Sequence, residues 1–213
     1  MKIEIWSDIV CPFCYLGKKH LELALEQLKE LEVSIVHRSF ELDPLREDYD
    51  GVSTAEELAT KYGMTLEVAQ AQLARIVLSA RDVGLHYDFD SMKGTNTFDA
   101  HRLIKYAKSN GKESEMLDRI YKAFFSEGKL VSDHDTLVAL AQEVGLDGTD
   151  TRNALEDESA YALEVREDEA QAKQYGIDVV PFFVINDRYA FSGASPVQDI
   201  VDTLKKIIED GEA

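Results

Sequence analysis

Cysteine is scarce in this chain, with only two in 213 residues, which excludes a small fold stapled by several disulfides. Histidine is nearly as rare. His20, His37, His86, His101 and His134 are scattered, and no two stand at metal-ligand spacing. A structural zinc site needs four ligands, and no set of residues completes one. Basic residues are outnumbered 23 to 41, giving a formal charge of −18, which argues against nucleic acid or an anionic membrane surface as partner. No apolar run is long enough to span a bilayer. Near the start, Glu4 and Asp8 interrupt any stretch that could form the core of a signal peptide. The expectation is a cytoplasmic protein with neither a nucleic-acid nor a membrane partner. No internal repeat or low-complexity linker occurs.

The two cysteines that are present sit in one unit, Cys11-Pro12-Phe13-Cys14, between a strand pattern and a helix pattern. If the helix starts near Cys11, that sulfur lies at a helix N-terminus, where unsatisfied N–H groups and the macrodipole favour a thiolate. Cys14 then comes up on the same face one turn later, within reach of a mixed disulfide formed by Cys11. Pro12 suits the first helical position, because its missing N–H would have had no partner there. Phe13 is expected to project between the thiols as an apolar contact. A permanent bridge between residues three apart would close too small a loop to stabilise the chain by much. In a reducing compartment such a pair is more often catalytic than structural.

The remaining pattern sorts into two kinds. Ile3 and Ile5 alternate with Lys2 and Glu4 as in a strand. Leu21, Ala24, Leu25 and Leu28 mark an amphipathic helix to about Leu31, and Val33 to Phe40 reads as a second strand. This is a βαβ unit with the cysteines at a strand's C-terminal end. From Ser53 to Gly176 helix signals follow one another. Thr54 with Glu57 makes a capping box, and Thr65, Thr97 and Asp133 are further caps. A last long helix is expected from Thr151 to Tyr175. Between Asp147 and Glu169 nine acids meet only Arg152 and Arg166, which reads as a solvated helix face. Strand character returns over Val179–Ile185, a turn follows at Asn186-Asp187, and after Tyr189–Phe191 a final helix starts at Ser195-Pro196. The expected class is α/β, βαβ then ββα, with residues 1–52 and 177–213 forming one domain around a helical insertion at 53–176.

Three stretches carry a resemblance: Ser7 to Cys14, Thr95 to Arg102, and Val179 to Phe183 with Phe191-Ser192-Gly193-Ala194. With them the chain resembles the thioredoxin-fold, DsbA-like thiol oxidoreductases of the FrnE type, over nearly its whole length. The resemblance implies that Cys11 is the attacking thiolate, Cys14 the resolving thiol, and Pro181 a cis-proline facing them. It leaves the backbone of Val180 to pair with an extended substrate segment and puts Asn96 beside the active site. Asn96 also reads as a loop residue ahead of the Thr97 cap. His101 reads as a packed core residue, and Asp8 as a loop cap that could also relay a thiol proton.

Three functions remain open on these residues. The first is dithiol–disulfide exchange with protein or small-molecule disulfides, using no cofactor beyond a Cys11–Cys14 disulfide. The second is glutathione-dependent chemistry, as in the related kappa-class glutathione transferases and 2-hydroxychromene-2-carboxylate isomerases. Those relatives typically have serine at the nucleophile position and a Ser-Asp pair after the last strand, where this chain reads Ser192-Gly193-Ala194-Ser195. The third is a chaperone-like binding module that uses the acidic helices. The oligomeric state is open.

Overall fold

The computed structural model describes residues 1–47 and 49–211. Along the chain run β1 (Lys2–Ser7), α1 (Pro12–Glu26), β2 (Ser34–Ser39), α2 (Thr54–Tyr62), α3 (Leu66–Asp82), α4 (Phe98–Ser109), α5 (Glu113–Glu127), α6 (His134–Glu143), α7 (Gly148–Glu156), α8 (Ala162–Tyr175), β3 (Phe182–Ile185), β4 (Tyr189–Ser192) and α9 (Val197–Glu209). Two units result, residues 1–40 with 166–213, and residues 41–165. These limits differ from the 52/53 and 176/177 read from the sequence, and residues 48, 212 and 213 lie outside the described set. The shift at α8 has a packing cause. Ala172 and Ile177 join Trp6 and Val184 in one cluster, so most of that helix belongs with the sheet.

In the first unit the sheet order is β2-β1-β3-β4. β1 is parallel to β2, while β3 is antiparallel to both β1 and β4. Alternation assigns the faces. Ile3, Ile5, Phe183 and Ile185 meet Leu21 and Ala24 of α1 and Ile200, Val201 and Leu204 of α9, and Trp6 and Val184 turn the other way. β1 is covered on both faces. The β3–β4 turn has positive φ at both Asn186 and Asp187; the Arg188 N–H closes it onto the Ile185 carbonyl at 3.1 Å, and Ile185 pairs with Tyr189 across the three-residue loop. α1 ends at Glu26 rather than near Leu31, because Gln27 and Leu28 N–H groups turn back onto Ala24 and Leu25 carbonyls.

The second unit is helical, and its caps differ in places from expectation. α2 is started by Ser53, one residue before the expected Thr54: its hydroxyl accepts the Glu56 N–H, and the Glu56 carboxylate accepts the Ser53 N–H. At α4 the Thr97 side chain makes no cap bond; Asn96 Oδ1 accepts the Phe98 N–H at 2.9 Å instead. Thr65 and Asp133 cap α3 and α6 as the sequence suggests. The expected helix from Thr151 to Tyr175 is two helices. Tyr161 adopts φ 60°, and the buried Arg102 guanidinium takes the carbonyls of Ala154, Leu155, Asp157 and Ala160, so the chain between α7 and α8 is held open by bonds a helix would have used internally. Among the described residues no helix is long and apolar enough to cross a membrane.

Candidate active site

The site begins where β1 runs out. After Ser7 the chain turns, with the Asp8 carboxylate accepting the Ile9 N–H at 2.7 Å and the Asp8 carbonyl accepting the Cys11 N–H at 3.3 Å. Cys11 is the N-cap of α1, extended at φ −86°, ψ 112°, and Pro12 opens the helix. The Cys11 carbonyl takes the Cys14 N–H at 3.0 Å. No acid occupies the first turn, although the chain as a whole is strongly acidic. The positive end of α1 is therefore left to the Cys11 sulfur.

Facing it is the loop before β3. The Val180–Pro181 peptide bond is cis. The Cys11 Sγ lies 3.7 Å from the Val180 carbonyl oxygen, its thiol donating. Behind it, the Gly193 N–H donates to the Pro181 carbonyl at 2.8 Å, tying the end of β4 to the same loop. Gly193 takes φ 81° there, which a residue with a Cβ adopts only at a cost. The structure thus brings Cys11, Cys14, Val180 and Pro181 together in one unit.

The two sulfurs are not equivalent. Both thiols are free; Cys11 is 5% exposed and Cys14 1%. Burial pushes the Cys14 thiol well above its usual range, and the hydrogen bond and charge of Cys11 push it further, against a weaker opposing backbone bond from Asp8. Cys14 therefore holds its proton while Cys11, with more of its surface in contact with solvent, meets reagents first. Iodoacetamide at neutral pH is expected to label Cys11 ahead of Cys14, read by peptide mass mapping. A thiol whose folded value exceeds its unfolded one lends stability below the unfolded value, about 8.5, and loses it as pH rises through the folded value. The urea midpoint of the reduced protein should thus fall above about pH 8.5, and fall less in Cys14→Ser.

Other residues singled out in the sequence take different places. Phe13 is 45% exposed, so it stands about half in solvent beside the two buried sulfurs rather than enclosed with them. Asn96 belongs to the second unit, where its amide serves α4 and donates to the Pro44 carbonyl at 3.3 Å. His101 is buried. Asp133 accepts from the Thr136 N–H and hydroxyl, which hold its carboxyl below the usual range, and His134 pairs with Asp99 at 2.8 Å. Among the described residues no group of acids, cysteines and histidines could hold a metal ion. Sequence reading passed over Gly17, whose signal was a glycine inside an otherwise helical pattern.

A cysteine pair at a helix start, set against a proline loop on a four-stranded sheet, defines a thioredoxin-type site. The profile of the DSBA-like thioredoxin domain matches residues 2–205, and the chain belongs to that family. A crystal structure of a probable DsbA oxidoreductase from Streptomyces coelicolor is 41% identical, with 98% of this chain and 90% of that one covered at a TM-score of 0.92. An uncharacterized protein of Bacillus subtilis (strain 168), YwbO, is 28% identical over 186 residues, 87% of this chain and 86% of its own. A 2-hydroxychromene-2-carboxylate isomerase shares the fold at 14% identity and a TM-score of 0.72, with 99% of this chain and 98% of that one covered.

Proposed function

We propose that this protein is a dithiol–disulfide oxidoreductase whose reacting pair is Cys11 and Cys14. The observation that carries the reading is the placement of the two buried sulfurs at the start of α1, one at the helix N-cap against the Val180 carbonyl and the other one turn inside the helix with its thiol raised well above the usual range. In the first step the Cys11 thiolate attacks one sulfur of a substrate disulfide. A bond forms between Cys11 and that sulfur, the substrate S–S bond breaks, and the departing thiolate takes a proton. Cys14 then gives up its proton and attacks the Cys11 sulfur, which releases the second substrate thiol and leaves a Cys11–Cys14 disulfide. The substrate has gained two electrons and the protein has lost two. Run backwards, the same steps oxidise a dithiol, and the direction follows the potential of the pair against its surroundings.

Phe13 and Val179, both about half exposed, offer apolar contact beside the reacting sulfur, and the Val180 backbone supplies pairing for an extended segment, which suits protein as well as small disulfides. Asn96 is left out of this reading because its amide oxygen caps α4 and its N–H donates to the Pro44 carbonyl. The strongly negative chain disfavours nucleic acid and anionic membranes as partners, and a reducing, cytoplasmic setting suits a reactive pair without a structural disulfide.

The test is turnover. Reduced protein recycled by dithiothreitol is expected to reduce insulin disulfides, and it is expected to leave a 2-hydroxychromene-2-carboxylate unchanged with glutathione present. Isomerisation of the chromene without insulin reduction would overturn the reading in favour of glutathione chemistry, and retention of all activity in a Cys11→Ser, Cys14→Ser double variant would overturn it in favour of a binding module.

A further inference from the structure

Gly17 lies in the second turn of α1, inside a helix of 15 residues. A glycine there weakens the helix relative to alanine. Its backbone offers no compensating reason, since it is absent from the positive-φ residues. The reason is room. A Cβ at Gly17 would stand 2.9 Å from the Pro181 Cγ, 3.5 Å from the Phe183 Cζ and 3.6 Å from the Ala194 Cα. The nearest of these atoms belongs to a ring that cannot rotate aside, and the farthest is backbone.

The contact falls between two other ties of α1 to the same layer. Before it, the Cys11 thiol meets the Val180 carbonyl at 3.7 Å. After it, the His20 Nδ1 lies 2.8 Å from the Ser195 carbonyl oxygen. The Pro181 carbonyl is itself bonded to the Gly193 N–H. The loop carrying residues 180 and 181, the turn at 193–195 and the helix bearing both cysteines therefore meet at one bare stretch of α1 backbone.

We propose that Gly17 is a positioning residue that sets the distance between the Cys11 sulfur and the chain at Val180 and Pro181. This rests on the oxidoreductase reading, in which an extended substrate lies along Val180 while its disulfide meets Cys11. Bringing the added Cβ from 2.9 Å to an ordinary carbon–carbon contact of about 3.5 Å requires α1 and Pro181 to separate by roughly 0.6 Å. A displacement of that order matters to attack on a disulfide held by the opposing loop, because exchange depends on near-contact alignment of the reacting atoms. It matters less to a small disulfide that needs only the sulfur.

The experiment compares wild type with Gly17→Ala in the full chain on two substrates, a disulfide within an extended peptide and cystamine. Rates are corrected for the folded fraction measured by circular dichroism. The expected result is that the ratio of the peptide kcat/KM to the cystamine rate falls about tenfold or more. Parallel loss on both substrates, or no loss on either, overturns the positioning role. Should Gly17→Ala fail to fold, His20→Ala carries the test, since it removes the tie to Ser195 without adding volume. The same ratio should then fall about threefold or more, and an unchanged ratio overturns the proposal. Wild type inert toward both disulfides would sink the oxidoreductase reading itself, whereas active wild type with an unchanged ratio sinks only the role of Gly17.

Discussion

Cys14→Ser is expected to stall with a substrate covalently attached. The Cys11 thiolate still opens the incoming disulfide, but the serine hydroxyl cannot displace it, so a mixed disulfide accumulates that survives non-reducing electrophoresis and disappears with dithiothreitol. Cys11→Ser should trap nothing. Loss of the nucleophile is expected to lower insulin reduction by about a thousandfold or more, as removal of an attacking group does in enzymes whose catalytic residues act as a unit. Equal trapping by the two single variants would mean that the sulfurs share the attacking role, contrary to the N-cap placement of Cys11 and the raised thiol of Cys14.

Arg38→Ala is expected to have the largest effect on stability. The Arg38 guanidinium reaches Glu4 through Nε at 2.9 Å and Nη2 at 2.5 Å, and Asp168 through Nη1 at 2.8 Å. Asp168 also accepts the Ser39 N–H at 2.9 Å, and its carbonyl accepts the Trp6 indole N–H at 3.0 Å. Glu4 and Asp168 are almost wholly buried. Removing the arginine leaves two buried carboxylates short of their cation, a loss of about 3 kcal/mol, with Lys2 still 2.7 Å from Glu4 to limit the damage. The measurement is the urea midpoint.

The pH dependence of this network has a definite sign. Burial alone would raise the Glu4 carboxyl, but Lys2 and Arg38 outweigh it and hold the group below its usual range. A carboxyl lowered on folding lends stability above its unfolded value, about 4.3, and loses it as pH falls through the folded value. Wild-type stability should rise with pH through that acid range. The rise should be shallower in Arg38→Ala, where burial is less opposed.

Where function rests on local pattern, the sequence was readable. The alternation of Ile3 and Ile5, the change of period after Cys14 and the β-branched run before Phe40 are each produced by neighbours within one turn or one strand, and together they put the cysteines at a strand–helix junction. What was hidden depends on residues far apart in the chain. The break between α7 and α8 is enforced by Arg102, more than fifty residues upstream of the carbonyls it binds, and no periodicity in 151–175 carries that information. For Asn96 the sequence offered both a loop role and a substrate contact, and it held no sign of the partners at Phe98 and Pro44 that the side chain takes. The half exposure of Phe13 was hidden, because spacing alone does not tell how much of a helix start faces water. Gly17 was visible as an oddity, but its meaning lies in Pro181 and Ala194, at the other end of the sequence.

Trp6, the single tryptophan of the chain, is wholly buried on the sheet beside Tyr175, with Arg38 over its ring. Its intrinsic fluorescence therefore watches the cysteine-bearing unit. Emission followed in denaturant reports when the sheet opens, and far-ultraviolet circular dichroism reports the helices of both units. Divergence of the two curves would show, without any label being attached, that the sheet around Trp6 and the helices do not open together.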